Sequence, residues 1–438
     1  PLENIPQFNN QVVDQEAPFF SYTKGFYGLP IRIRDQQELK ALLANVQALV
    51  QASVTCMCGP VHLNVPMEEP LYEKLPAPVL SVDELPDHPE TDEAVAEEVV
   101  DVAPDKKIMI LAGMGSPNEE ILAVLRELIR NRQTVVIAEN IANKPSRKFI
   151  SNPELILAGA GEGELKNLRP DVLITFGGQV VSRRLRQFLK SVEHLEVEVL
   201  QDNILPVLKG LQHSMIEKKT DSTNHYLECW IQVRQRVIPI AKSHLDNAPF
   251  SNLASVHRVL LALPEGCVLH LGNSAVIRYA QAIPVEKDLL CFANRGTSGI
   301  DGCVSAAVGA AMVSDDLHVL LVGDLSFVYD SNALWNKDFP ENLKIVVLND
   351  GGGGIFRLLD GPDRMGFFEE FSVTHHPVSL ELLSQAFGRR FHRVFNLADL
   401  DEKLEILFQP ETGISVLEVD TSGSENSRIF KDFLKLES

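Results

Sequence analysis

Two short stretches in the C-terminal half of the chain place carboxylates, amides and glycines where apolar runs end. The first is Gly323-Asp324-Leu325-Ser326, directly after Val319–Val322. The second is Asn349-Asp350-Gly351-Gly352-Gly353-Gly354-Ile355-Phe356, directly after Ile345–Leu348. Two buried parallel strands would bring both polar ends to one sheet edge, where open α/β sheets bind ligands. Asp324, with Asp350 or Asn349, then supplies hard oxygen ligands. Completed by phosphate oxygens and water, such a set suits Mg²⁺. The glycines let the backbone approach a diphosphate, and a helix start beyond the first strand favours its charge.

Three further segments put an arginine just past a strand: His270-Leu271-Gly272-Asn273-Ser274 leading to Arg278, Ala293-Asn294-Arg295 leading to Ile300 and Gly302, and Gly177-Gly178 leading to Arg183-Arg184. A guanidinium pairs a carboxylate through two parallel hydrogen bonds, so arginines at three ligand-facing edges suit a substrate with several carboxylates. The adjacent His375-His376 is read as a solvated loop pair, because neighbouring side chains point in different directions.

The elements that must position these residues repeat a strand–helix alternation. Residues 1–75 read as the tail of an α/β domain, with Asp35 capping a helix over Gln37–Ala52 and a strand within Gly59–Pro66. Residues 76–105 read as an extended linker: ten Asp or Glu lie from Asp83 to Asp105, among Pro86, Pro89 and Pro104, a composition that repels itself and has no core pattern. Residues 106–225 form a second α/β unit, with strands at Ile108–Leu111, Val135–Ala138, Val172–Phe176 and Leu195–Leu200. Its Gly113-Met114-Gly115-Ser116 turn lacks the third glycine of a dinucleotide fingerprint and is read as structural. A connecting helix covers 226–251. Residues 252–438 hold six strands, at Val268–Leu271, Leu289–Phe292, Val319–Val322, Ile345–Leu348, Arg390–Val394 and Ile414–Val419, which predicts a doubly wound sheet.

Length and charge bound the remaining possibilities. A chain of 438 residues with 45% apolar content has room for several cores. The net charge of −20 argues against nucleic acid or an anionic membrane as the main partner. There is no apolar run of spanning length and no signal peptide. The six cysteines are scattered, and Cys56-Met57-Cys58 is too tight for a usual zinc pair, so reduced thiols and a cytoplasmic location are expected.

The Gly-Asp and Asn-Asp-Gly stretches resemble the metal–diphosphate motif of thiamine-diphosphate enzymes. Together with the arginine segments, and with Phe8-Asn9-Asn10-Gln11 near the start, they resemble one branch, the 2-succinyl-5-enolpyruvyl-6-hydroxy-3-cyclohexene-1-carboxylate synthases. The resemblance runs over essentially the whole chain and is most specific from Gly272 to Phe356. It implies three doubly wound α/β domains, the first incomplete at its N-terminal side. It implies thiamine diphosphate with Mg²⁺ or Mn²⁺ as cofactors, and decarboxylation of 2-oxoglutarate with addition of the remainder to isochorismate in menaquinone biosynthesis. By that resemblance Asp324, Asp350 and the Gly352 carbonyl bind the metal. Gly272, Asn273, Ser274, Gly323, Leu325, Ser326 and Asn349 line the cofactor, and Ile300 is the apolar wedge beneath it. Arg184, Ser274, Arg278 and Arg295 take substrate carboxylates, Asn10 and Gln11 enter from a neighbouring subunit of a homodimer or homotetramer, and Ile355 and Phe356 form an apolar wall.

Two departures qualify the implication. The branch usually carries Asn as its second metal ligand, where Asp350 aligns best here and Asn349 is the alternative. The glutamate that activates the cofactor in this superfamily lies, by the same alignment, before Pro1, so a polypeptide of this extent is expected to be inactive alone. The competing readings are another thiamine-diphosphate decarboxylase or ligase of the acetolactate-synthase kind, in which Arg278 and Arg295 matter little, and a non-catalytic subunit that keeps the fold.

Overall fold

The computed structural model describes residues 16–54, 59–66, 103, 105–199, 203–217, 225–358, 366–409 and 413–436. The chain forms two compact units, residues 1–95 and 96–438. Asn10, Gln11, Cys56, Cys58 and nearly all of the expected linker lie outside the described residues.

The first unit is small. Strands β1 (Phe26–Gly28) and β2 (His62–Asn64) pair in parallel, and the helix Gln36–Val54 connects them. Asp35 caps that helix, its Oδ1 accepting the Gln37 and Glu38 amides, both at 2.8 Å. Leu49 is the one buried residue of the helix among those described.

The second unit carries two parallel sheets. In the first, β3 (Ile108–Ala112), β4 (Thr134–Ala138), β5 (Val172–Phe176) and β6 (Leu195–Val199) lie in the order β4-β3-β5-β6. Every residue of β3 and β4 is buried, the pattern of strands covered on both faces. In the second, β7 (Val268–Leu271), β8 (Leu290–Ala293), β9 (His318–Gly323), β10 (Leu343–Asn349), β11 (Phe391–Val394) and β12 (Val416–Asp420) lie in the order β11-β12-β10-β9-β7-β8. The chain leaves β7 toward β8 on one side and returns to β9 on the other. That reversal makes the β7/β9 junction a switch point, where neighbouring loops diverge and open a crevice at the carboxyl edge.

Register makes that edge flush. Leu348 pairs with Gly323, and Asn349 pairs with Asp420. Asp324 and Asp350 therefore follow directly on the ends of adjacent strands. One apolar core joins both sheets through the helix Tyr226–Asp246, which buries Tyr226, Trp230, Val233, Val237, Ala241 and Leu245 along one stripe. No helix among the described residues is long and apolar enough to cross a membrane. Cys267, Cys291 and Cys303 are buried and free, and Cys229 is half-buried and free.

The Gly113–Ser116 turn is structural. A side chain at Gly113 would meet the Gly178 carbonyl at 1.9 Å, so the turns after β3 and β5 touch backbone to backbone.

The two sheets are tied by buried polar side chains as well as by apolar contact. Asn143, in the left-handed region at φ 52°, donates to the Gly115 and Cys291 carbonyls at 2.9 and 2.8 Å and accepts the Cys291 amide at 2.8 Å. Asn152 and Asn140 make similar bonds to Gln281 and its neighbours. Asn143→Ala removes three bonds, leaves the Cys291 amide buried and unpaired, and puts a Cβ-bearing residue with no polar side chain at positive φ. It should cost about 2–4 kcal/mol in urea unfolding; a loss below about 0.5 kcal/mol would show that this tie is not holding the sheets together.

Candidate active site

The crevice at the switch point is a cavity of about 310 Å³. Its wall combines the ends of β7, β9 and β10. Asn273, Ser274, Ile300, Gly323, Asp324, Leu325, Ser326, Asp350, Gly352, Ile355 and Phe356 all line it. Most of the cofactor and metal residues expected from the sequence therefore converge on one space, although they span about eighty positions of the chain.

The two aspartates dominate its electrostatics. Asp324 is 2% exposed; its Oδ1 accepts the Leu325 amide at 2.7 Å and its Oδ2 the Gly352 amide at 2.8 Å. Burial raises its pKa above the usual carboxylate value. Asp350 is pushed up to about 7, first by burial and then by the charge of Asp324. Its Oδ2 accepts from Asn252 Nδ2 at 3.0 Å. Two carboxyl groups are thus buried in each other's field, an arrangement that a divalent cation would relieve. Among the described residues no group of three or more His, Cys, Asp and Glu converges to hold a metal. The remaining coordination would fall to backbone carbonyl, phosphate and water oxygens, as Mg²⁺ accepts. The donor set fits a metal–diphosphate.

Glycine is obligatory in the β10 turn. Gly352 sits at φ 145°, and a Cβ there would meet the Val373 carbonyl at 2.5 Å. At Gly354 a Cβ would lie 2.1 Å from Asp350 Oδ2 and would displace the carboxylate itself. Ser274, facing the same cavity, holds φ 72° and ψ −122° without being glycine. Strain of this kind persists where surrounding structure enforces it, and it collects at ligand sites.

Other expected residues stand elsewhere. Asn349 does not line the cavity. Its Nδ2 donates to Glu418 Oε1 at 2.6 Å and its Oδ1 accepts the Gly351 amide at 3.0 Å, so Asp350 is the residue of the pair that faces Asp324. Gly272 lies behind the wall, where a Cβ would meet Val322 Cα at 3.1 Å. Asn273 lines the cavity with its side chain already engaged: Nδ2 donates to the Asn294 and Gly299 carbonyls and Oδ1 accepts from Arg295.

Arg184 and Arg278 line a second cavity of about 490 Å³, which shares Ile355 with the first. Glu154 orders its rim. Its carboxylate accepts from Ser182 Oγ at 2.6 Å and the Arg184 amide at 3.1 Å, and lies 3.5 Å from Arg184 Nε. Arg278 donates to the Ser274 carbonyl, and burial followed by the charge of Arg295 lowers its pKa. Arg295 lines neither cavity; it is 8% exposed and its Nε finds no partner among the described residues. It adds field to the second cavity from behind.

Three contributors escaped the sequence reading. His376 was expected to be solvated, yet its Nε2 lies 3.3 Å from Asp324 Oδ2 with its side chain 11% exposed. A six-residue π-helical turn, Phe368–Val373, carries the chain back over the β10 turn and delivers it there. Its neighbour His375 is exposed, and it contacts the Gly351 carbonyl and Glu369. Asn252 reaches Asp350 from the start of the helix Asn252–Ala262 and is itself oriented by Thr421 Oγ1 at 2.7 Å. Glu418, fully buried on β12, holds Asn349 and is neutralised by Arg393 Nε at 2.8 Å. An isolated acid inside the apolar run Ile414–Val419 was the available signal for Glu418.

Residues 272–419 match the family model described as thiamine pyrophosphate enzyme, C-terminal TPP binding domain. The chain is 33% identical over 454 residues to a 2-succinyl-5-enolpyruvyl-6-hydroxy-3-cyclohexene-1-carboxylate synthase of Flavobacterium johnsoniae, covering 99% of this chain and 80% of that protein. It is 34% identical over 439 residues to the synthase of the same name from Desulfotalea psychrophila, covering 96% and 79%. The chain belongs to this synthase family. It is a thiamine-diphosphate-dependent enzyme that transfers aldehyde or ketone residues. Asp324, Asp350 and the glycine turn all fall within the span of the cofactor-binding domain.

The raised Asp350 pKa sets a pH dependence. A carboxyl whose folded pKa exceeds its unfolded one holds a proton more tightly when folded, so the metal-free fold loses stability as pH climbs from about 4 through 7. A metal ion must displace the same proton. The Mg²⁺ concentration that half-saturates the thermal shift, with thiamine diphosphate present, should be roughly tenfold lower at about pH 8 than at about pH 6, and Asp350→Asn should flatten the difference. Equal Mg²⁺ dependence at both pH values would contradict the assignment of Asp350.

Proposed function

We propose that this chain binds thiamine diphosphate and Mg²⁺, or Mn²⁺, between β7, β9 and β10, decarboxylates 2-oxoglutarate, and joins the remainder to isochorismate in menaquinone biosynthesis. The observation that carries the reading is the adjacency of two cavities through Ile355, one with paired buried aspartates and the other with Arg184 and Arg278. A cofactor with a diphosphate end and a substrate with several carboxylates require these two environments side by side.

When bound, thiamine diphosphate supplies the electron sink for loss of CO₂ from a 2-oxo acid. The chain's own residues bind and orient. Asp324, Asp350 and the Gly352 carbonyl would hold the metal, and Gly323, Leu325 and Ser326 would approach the diphosphate. Ile300 and Ser274 line the same cavity, and Ile300 would be the apolar support. Ser326 Oγ donates to the Ile300 carbonyl and fixes that support to the start of the helix Asp324–Tyr329. Arg184 and Arg278 would pair the substrate carboxylates, with Arg295 reinforcing the field. Ile355 and Phe356 would form the apolar wall. Asn10 and Gln11 would complete the substrate side from a second copy of the chain, in a homodimer or homotetramer.

Calorimetric titration of 2-oxo acids, with cofactor and Mg²⁺ present, tests the substrate class. 2-Oxoglutarate should bind more tightly than pyruvate, and Arg278→Gln and Arg184→Gln should each weaken it by roughly tenfold, the worth of a charge-assisted bond. Tighter binding of pyruvate, or arginine variants without effect, would favour a ligase for less anionic substrates.

A further inference from the structure

A third cavity, of about 590 Å³, shares no lining residue with the two described above. Three elements form it: the chain from the end of β4 through Asn152, the helix Tyr226–Asp246, and the loop Ile283–Leu289. Phe149, Ile238, Pro239, Ile283, Pro284 and Val285 give it apolar walls.

Its charged residues do not balance. Lys144, Arg147, Arg234, Lys242 and Lys287 line it, against Glu139, Glu286 and Asp288. Two of the acids are already committed. Glu139 accepts the Val181 and Ser182 amides at 2.5 and 2.7 Å, and Glu286 pairs with Lys242 at 2.5 Å. Asp288 is exposed. Lys144 is 4% exposed, and its Nζ donates only to the Ser116 and Ala142 carbonyls, at 2.6 and 3.2 Å. Arg234 donates through Nη1 to the Arg147 and Phe149 carbonyls, at 3.0 and 3.1 Å, leaving its other nitrogens without a partner among the described residues. Burial lowers the pKa of both groups. A buried or half-buried cation whose hydrogen bonds go only to carbonyls is costly, even with the charge of Glu119 acting on Lys144, and an incoming anion recovers that cost. On a chain of net charge −20, a cavity with surplus cations is a local inversion.

We propose that this cavity binds a small organic anion, a carboxylate or phosphate on a compact apolar body, held by Arg234, Arg147 and Lys144. The charges take the anionic group and the proline–isoleucine walls take the body. Neither a bare diphosphate nor an extended polar chain would use those walls. The site stands apart from the cofactor cavity, so its occupant is a second ligand of the enzyme.

Calorimetric titration with benzoate and, separately, inorganic phosphate tests the proposal. Saturable benzoate binding is expected, weakened roughly tenfold by Arg234→Gln and by the exposed Arg147→Gln, and unchanged by Arg184→Gln. Weaker binding of phosphate than of benzoate marks the apolar walls as part of the site. Absence of saturable binding by benzoate overturns the proposal. So does binding that ignores Arg234 and Arg147, or that is lost in Arg184→Gln, which would place the anion in the arginine cavity beside the cofactor site.

Discussion

The structure turns on two carboxyl groups held together at the end of two adjacent strands. Asp324 and Asp350 are buried; burial raises both pKa values, the charge of Asp324 raises that of Asp350 further, and His376 partly offsets the effect at Asp324. A fold does not gain stability from such a pair. The flush register of β9 and β10 leaves the two residues no other place, and the divalent cation proposed above would make the pair favourable. The surrounding structure can be understood as what keeps the pair open to that cation. Gly352 and Gly354 leave room where any side chain would displace a carbonyl or a carboxylate, and Asn252 fixes one Asp350 oxygen.

The support extends further than the contacts with the pair. Glu418 lies one strand beyond β10 and touches no part of the cavity. Its hydrogen bond to Asn349, and from there to the Gly351 amide, sets the direction in which the β10 turn leaves the sheet. The ion pair with Arg393, at 2.8 Å, compensates that carboxylate inside the sheet. Positioning by a buried acid one strand away is the same logic by which outer partners orient metal ligands. On the substrate side, Glu154 sets the Ser182–Arg184 segment through backbone and hydroxyl contacts, so the cationic cavity is also shaped by an acid.

Strands in this chain were legible because parallel strands covered on both faces read as uninterrupted apolar runs. All six strands of the second sheet lie within a few residues of their expected places; the helix Gln36–Val54 follows from its Asp35 cap, and the helix Tyr226–Asp246 lies within the connecting segment expected to be helical. The cofactor cavity was legible for the same reason: its residues follow strand ends, and a strand end fixes which edge a residue occupies. What strand position cannot fix is direction. Asn349 and Asp350 are neighbours at one strand end, and pairing with Glu418 decides which of them faces Asp324. His376 comes from a segment with no regular period, carried over the turn by a π-helical bend, so its contact with Asp324 has no local signal. Arg295 reads like Arg278 in sequence, yet Arg295 donates to Asn273 and lines neither cavity, while Arg278 lines one.

The proposed cofactor site at Asp324 and Asp350 is metal-dependent. Thermal unfolding followed while thiamine diphosphate is titrated, with and without Mg²⁺, tests it most directly, because a ligand that binds only the folded chain must raise the midpoint. A rise that needs Mg²⁺ and disappears in Asp324→Ala is the expected result. A rise that persists without the metal, or that survives Asp324→Ala, would contradict the site.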